Sequence, residues 1–191
     1  MRVLAFALAF ACGAAFAQPR LVASLAVVML EGSGWTRERA ESALHRAGDI
    51  LAQCGVTLEH GDPVVLRVRD DLMDYSTPAA REVARIRPVS RPAVYLVRDT
   101  RSRPAFDAEA IGRGNSRTRP EIADTVWMTS GTRDAGIALA HELSHVLMDS
   151  GEHSGAEGNL MRDETSPSAT RLSPAQCGRL RDKGRANGLL R

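Results

Sequence analysis

The order of apolar and polar positions divides the chain into a few elements. Residues 21–30 are almost continuously apolar and rich in valine and leucine, the pattern of a buried strand. Glu31-Gly32-Ser33-Gly34 breaks that run. Thr36 can cap a helix that opens with Glu38 and Arg39 and runs to about Cys54. Its apolar face is Leu44, Ala47, Ile50 and Leu51, and Gly55 ends it. Val56-Thr57-Leu58 begins an extended segment, Gly61-Asp62-Pro63 turns the chain, and residues 64–68 read as a strand. Thr77 and Pro78 start a short helix to about Ile86, because Pro88 and Pro92 exclude its continuation. Residues 93–97 form the next strand. Ala110 to Gly114 reads either as a short edge strand or, given its glycines, as a plain loop. Thr125-Val126-Trp127-Met128 is a strand. Ser173-Pro174-Ala175-Gln176 opens a last helix, with proline at its first position and glutamine at its third. That helix carries Cys177, Leu180 and Leu189. Trp35 and Trp127 are read as core residues, and no internal repeat is evident.

The most strongly patterned stretch is residues 135–150. Asp134 is a candidate N-cap, no proline interrupts, and Gly151 is a natural stop. Ile137, Ala140, Leu143, Val146 and Leu147 recur at three- and four-residue spacing and make an apolar stripe. The same helix carries His141-Glu142-Leu143-Ser144-His145. A helix rises about 1.5 Å per residue, so His141 and His145 lie one turn apart on one face, with Cα atoms about 6 Å apart. Two imidazoles so placed can converge on one zinc at about 2.0–2.1 Å. Glu142 can reach a water on that metal without binding the metal itself. Two helical histidines can also be packed or solvated by accident. Against that, three of the chain's five histidines fall between His141 and His153.

A catalytic zinc needs a third protein ligand. His153 is the first candidate, and Glu152, Glu157 and Asp163 are reachable alternatives. Asp149 lies another helical step on, about 12 Å along the axis from His141, too far to share the metal. His45 is expected to face solvent from the first helix, and His60 sits at a turn; neither is assigned to the metal.

The run from His141 to Met161 resembles the metzincin metallopeptidases, whose pattern is H-E-x-x-H-x-x-G-x-x-H followed by a Met-turn. Asn159-Leu160-Met161 resembles that turn, with Met161 eight residues after His153. The resemblance implies that His141, His145 and His153 bind zinc, that Glu142 is the general base and that Met161 underlies the metal. It implies an α+β fold of zincin type: a mixed β-sheet, a long first helix, an active-site helix and a C-terminal helix. It also implies a peptide or protein substrate held along an edge strand, for which Ala110 to Gly114 is the candidate. This chain departs from the pattern in two places. His153 lies eight residues after His145 rather than six, and Gly151 precedes it by two rather than three. Arg162-Asp163 follows the methionine, so the tyrosine that some metzincins place there is absent.

Length, charge and cysteines refine this picture. The start reads as a secretory signal: Arg2, an apolar run over residues 3–11, and Ala15-Phe16-Ala17 as an A-x-A cleavage site. Residues 1–17 are then the signal peptide and residues 18–191 a single catalytic domain. The apolar run is short for a membrane span. Lipid attachment at Cys12 is the weaker alternative, because Ala9 is not the large aliphatic residue expected before it. Cleavage leaves Cys54 and Cys177, an even pair that suggests a disulfide in an exported chain. The formal net charge of +2 gives no argument for a nucleic-acid partner. Ten arginines between Arg81 and Arg119 read as a solvated surface. The expected activity is that of an exported zinc-dependent endopeptidase, periplasmic or secreted, with any latency supplied by a protein inhibitor. The alternatives are a zinc-stabilised binding or inhibitory module without turnover, and a zinc amidase acting on cell-wall peptides. Glu142 favours an enzyme, since a structural zinc site would not require it.

Overall fold

The computed structural model describes residues 20–101, 108–111, 118–163 and 166–191, with 108–111 described by backbone alone. Its elements in chain order are β1 (Leu21–Leu30), α1 (Arg37–Leu51), β2 (Val56–His60), β3 (Val64–Leu66), α2 (Thr77–Ile86), β4 (Ala93–Val97), β5 (Ala108–Ile111), β6 (Thr125–Thr129), α3 (Ala135–Met148) and α4 (Pro174–Ala186). The expected signal peptide, residues 1–17, and Cys12 within it lie outside the described residues. Within them no helix is long and apolar enough to cross a membrane.

The apolar run β1 lies inside a mixed sheet of strand order β2-β1-β4-β6-β5. β2 pairs with the first half of β1 and β3 with its second half, both in parallel. β4 pairs in parallel with β1 and with β6, while β5 is antiparallel to β6. Side chains alternate between the two faces of a strand. In β1, Leu21, Ala23, Leu25 and Val27 enter one core and Val28 and Leu30 the other. In β4, Val94 and Leu96 face the first core, and Ala93, Tyr95 and Val97 the second. The first core also takes the inner faces of α1, α3 and α4, and the second that of α2. Burial on both faces is why β4 and β6 read as apolar runs rather than alternating patterns.

Both tryptophans are core residues, as expected. Trp127 stacks on Tyr95 with ring centroids 4.1 Å apart and donates its Nε1–H to Thr125 Oγ1 at 2.9 Å. Trp35 is buried, and its Nε1–H points at the carbonyls of Val97 and Met128. Four boundaries differ from expectation. The strand read over 64–68 ends at Leu66. The edge strand falls at Ala108–Ile111 rather than Ala110 to Gly114, and 112–117 lie outside the described residues. α4 ends at Ala186, so Leu189 packs into the first core from beyond the helix. α3 ends at Met148, short of Ser150.

Cys54 and Cys177 form a disulfide with Cα atoms 4.9 Å apart, within the range a disulfide requires. It ties the turn after α1 to the first turn of α4 across a sequence separation of 123 residues. Closing so long a loop is worth about 4–5 kcal/mol in the chain-entropy model, and often less in practice. Replacing both cysteines by alanine is expected to lower stability toward denaturant by up to that amount. Intact protein should have a mass two hydrogens below the dithiol, and thiols that alkylate in native protein would refute the bridge.

Candidate metal centre

α3 carries the site, and its depth is set by close packing on α1. A Cβ at Gly136 would lie 2.5 Å from Arg46 Cβ and 3.2 Å from the carbonyl of Ala43, so only glycine allows this approach. Asp134 occupies the N-cap position, but its side chain makes no capping bond. Its carbonyl accepts from Ile137 N and Ala138 N instead. The apolar stripe of Ile137, Ala140, Leu143, Val146 and Leu147 is wholly buried, which turns the histidine edge toward the segment that follows the helix.

The helix stops at Asp149 and not at Gly151. Asp149 takes the left-handed conformation, φ 50° and ψ 50°, and Ser150 N donates back to the carbonyl of His145 at 3.1 Å. Aspartate is one of the few non-glycine residues that visits this region readily. The reversal therefore falls four residues after His145, and His153 follows it by four more. Relative to the H-x-x-G-x-x-H spacing, one extra residue falls on each side of this reversal, the first of them at the end of α3.

The chain returns His153 to the helical pair. His145 Nε2 lies 2.9 Å from His141 Nε2 and 3.2 Å from His153 Nε2. His141, His145 and His153 form the one group of three or more potential metal-binding side chains among the described residues. Ligands at about 2.0–2.1 Å from a tetrahedral zinc sit about 3.3 Å from one another, so an ion of that size fits this cluster with small outward shifts.

The outer nitrogens fix the tautomers. His141 Nδ1 lies 2.7 Å from the carbonyl of Leu160, and His145 Nδ1 lies 2.7 Å from that of Ser150. A carbonyl can only accept, so each Nδ1 carries the proton. His153 Nδ1 pairs with Asp163 Oδ1 at 2.8 Å, which places its proton in the same way. Three Nε2 lone pairs then face one another. Between neutral rings the short Nε2 contacts are not hydrogen bonds, and a cation is what such an arrangement accommodates. Burial pushes His145 down to about 4, with the neighbouring His141 adding to the effect. Burial also lowers the pKa of His141. Both rings are thereby held neutral near pH 7, the form that ligates metal.

Among the acidic alternatives, Asp163 meets His153 Nδ1 on the side away from the cluster, and Glu152 pairs with Arg179 of α4 at 2.6 Å. Glu157 is exposed and outside the group, and Asp149 is spent on the turn. His45 faces solvent as expected, and His60 sits beside Gly61 and Glu41, outside the cluster. Glu142 is partly buried on α3 between the two helical histidines. Met161 is fully buried in the core shared with α3, and its carbonyl accepts from Ser154 N, next to His153. The carbonyls of Leu160 and Ser150 were not anticipated from the sequence, because backbone acceptors leave no residue signature. Asp163 was anticipated as a rival ligand, and instead buttresses His153.

No protein-family model matches the sequence, and no curated protein matches it. Solved structures do. The metalloproteinase-II from Bacteroides fragilis superposes with a TM-score of 0.58 at 20% identity over 86% of this chain. This chain spans 53% of that protein's length. The archaemetzincin from Methanopyrus kandleri superposes with a TM-score of 0.56 at 12% identity, covering 85% of this chain and 96% of the other. At these identities the likeness is one of fold. The fold is metzincin-like, α+β with a mostly parallel sheet, and the three-histidine cluster is consistent with the metzincin H-E-x-x-H…H site.

Proposed function

We propose that this chain is an exported zinc-dependent endopeptidase. One observation carries the reading: three imidazoles, each with Nδ1–H tied to an oxygen acceptor, aim their Nε2 lone pairs at a common point. His141, His145 and His153 would hold the ion through those atoms. Zinc held there would supply a Lewis acid that polarises the scissile carbonyl and would lower the pKa of water to about 7. Glu142 takes the proton from the attacking water and delivers it to the leaving amine nitrogen, as the C–O bond forms and the C–N bond breaks. Met161, fully buried in the core shared with α3, is assigned to the floor beneath the ligands. The substrate is a peptide or protein. Among the described residues β5 ends the sheet order, and its outer edge is the candidate for accepting an extended segment by backbone pairing. Export fits the disulfide, a bond favoured in oxidising compartments.

The test is metal content and turnover on residues 18–191. One zinc per chain is expected, with casein or gelatin cleaved, cleavage lost on chelation and restored by added zinc. Cleavage of muropeptides but not of casein would replace the endopeptidase with a cell-wall amidase. Bound zinc without turnover on either substrate would make the chain a binding or inhibitory module.

A further inference from the structure

We infer that Asn159 and Gln176 are positioning residues for His141, coupling the start of α4 to the candidate metal centre; this rests on the zinc reading above. The two side-chain amides meet head to tail. Asn159 Nδ2 donates to Gln176 Oε1 at 2.9 Å, and Gln176 Nε2 donates to Asn159 Oδ1 at 3.2 Å. Each oxygen also accepts a backbone N–H: Gln176 Oε1 from Ser173 at 2.8 Å, and Asn159 Oδ1 from Met161 at 2.9 Å. Those two N–H groups can only donate, so neither amide can flip without losing a bond. Asn159 is buried, which makes such a loss costly.

The bond to Met161 N carries the consequence. Met161 N–H and the Leu160 carbonyl belong to one planar peptide unit. Asn159 Oδ1 holds one side of that plane, and the carbonyl on its other side holds His141 Nδ1 at 2.7 Å. Leu160 N is itself fixed to the carbonyl of Arg171 at 2.7 Å, just before α4. Turning the peptide plane would move the acceptor that sets the tautomer and direction of His141. Gln176 is the third residue of α4, where it completes a capping box with Ser173. The next residue, Cys177, is anchored to Cys54. One glutamine thus serves two tasks, closing the helix start and clamping the peptide behind a metal-facing histidine.

Three variants and two readouts test this, with Tm as a control on folding. Asn159→Ala is expected to weaken zinc binding about 10–100-fold in competition with a chromophoric chelator, the usual cost of removing support behind a metal ligand. Gln176→Ala should weaken it less, since Asn159 can still reach Met161 N. Ser173→Ala removes the capping hydroxyl of the same helix but leaves the amide pair, so it should lower Tm without weakening zinc. Equal losses of zinc affinity in Ser173→Ala and Gln176→Ala would reduce the pair to a helix-stabilising role and overturn the inference. The second readout uses no metal. In apoprotein, nitrogen NMR of the imidazoles should show His141 fixed with its proton on Nδ1, and a tautomer mixture in Asn159→Ala. A fixed tautomer in both proteins overturns the inference. If wild-type protein binds no zinc, the peptidase reading fails, and the tautomer comparison still decides this one.

Discussion

Replacing Glu142 by glutamine is expected to leave one zinc bound and to lower kcat by roughly two to four orders of magnitude, the range attributed to general base catalysis. Glu142 lies outside the three-histidine group, so zinc content should not follow it. Glutamine keeps the size and helix preference of glutamate, and α3 should fold unchanged. What it lacks is a carboxylate that can take a proton near neutral pH. The loss should therefore fall on kcat, with KM little altered, because the substrate's backbone contacts would lie on β5 and not on this residue. His141→Ala and His145→Ala should behave differently, losing the metal and the activity together. Undiminished turnover in Glu142→Gln would remove the proposed base. Loss of zinc in the same variant would make Glu142 a ligand and demand a new mechanism.

Local patterns were the legible part of this fold. The stripe from Ile137 to Leu147 is set by helix period alone, and it located α3 and both helical histidines without tertiary information. The capping box at Ser173 and Gln176 fixed the start of α4 for the same reason. The order β2-β1-β4-β6-β5 was not legible, because parallel pairing joins strands through intervening helices and leaves no adjacent signal. The stop at Asp149 was hidden by Gly151 two residues later. Glycine is the commoner left-handed residue, yet the packed end of α3 placed the reversal on the aspartate. The convergence of His153 was expected from the resemblance, whereas the acceptors at Leu160 and Ser150 depend on how two loops fold back on α3. Asn159 gave no warning of its contact with Gln176, since the two meet only after the chain passes through Arg171 and turns into α4.

His153→Ala is expected to cost more zinc affinity than any acidic variant of the same loop. His153 Nε2 faces His145 Nε2 at 3.2 Å, while its Nδ1 is held by Asp163. Removing the ring deletes one of the three converging nitrogens. Asp163→Ala should keep one zinc at about 10–100-fold lower affinity, since it removes only the acceptor that orients the ring. Even that figure is an upper expectation, because Asp163 is largely exposed and water can replace part of its bond. Glu152→Ala should keep zinc at wild-type affinity, since Glu152 faces Arg179 rather than the cluster. Glu157→Ala should do the same. The expected ranking is therefore His153, then Asp163, then the two glutamates at wild-type level, read by chelator competition and by activity on the same samples. The reverse result, with zinc kept in His153→Ala and lost in one acidic variant, would replace three histidines by two histidines and a carboxylate. A hydrolase could work with that set, because a water position and Glu142 would remain. The three-histidine arrangement would not survive it, and the loop after Asp149 would then have to move a carboxylate to the place this fold gives to His153.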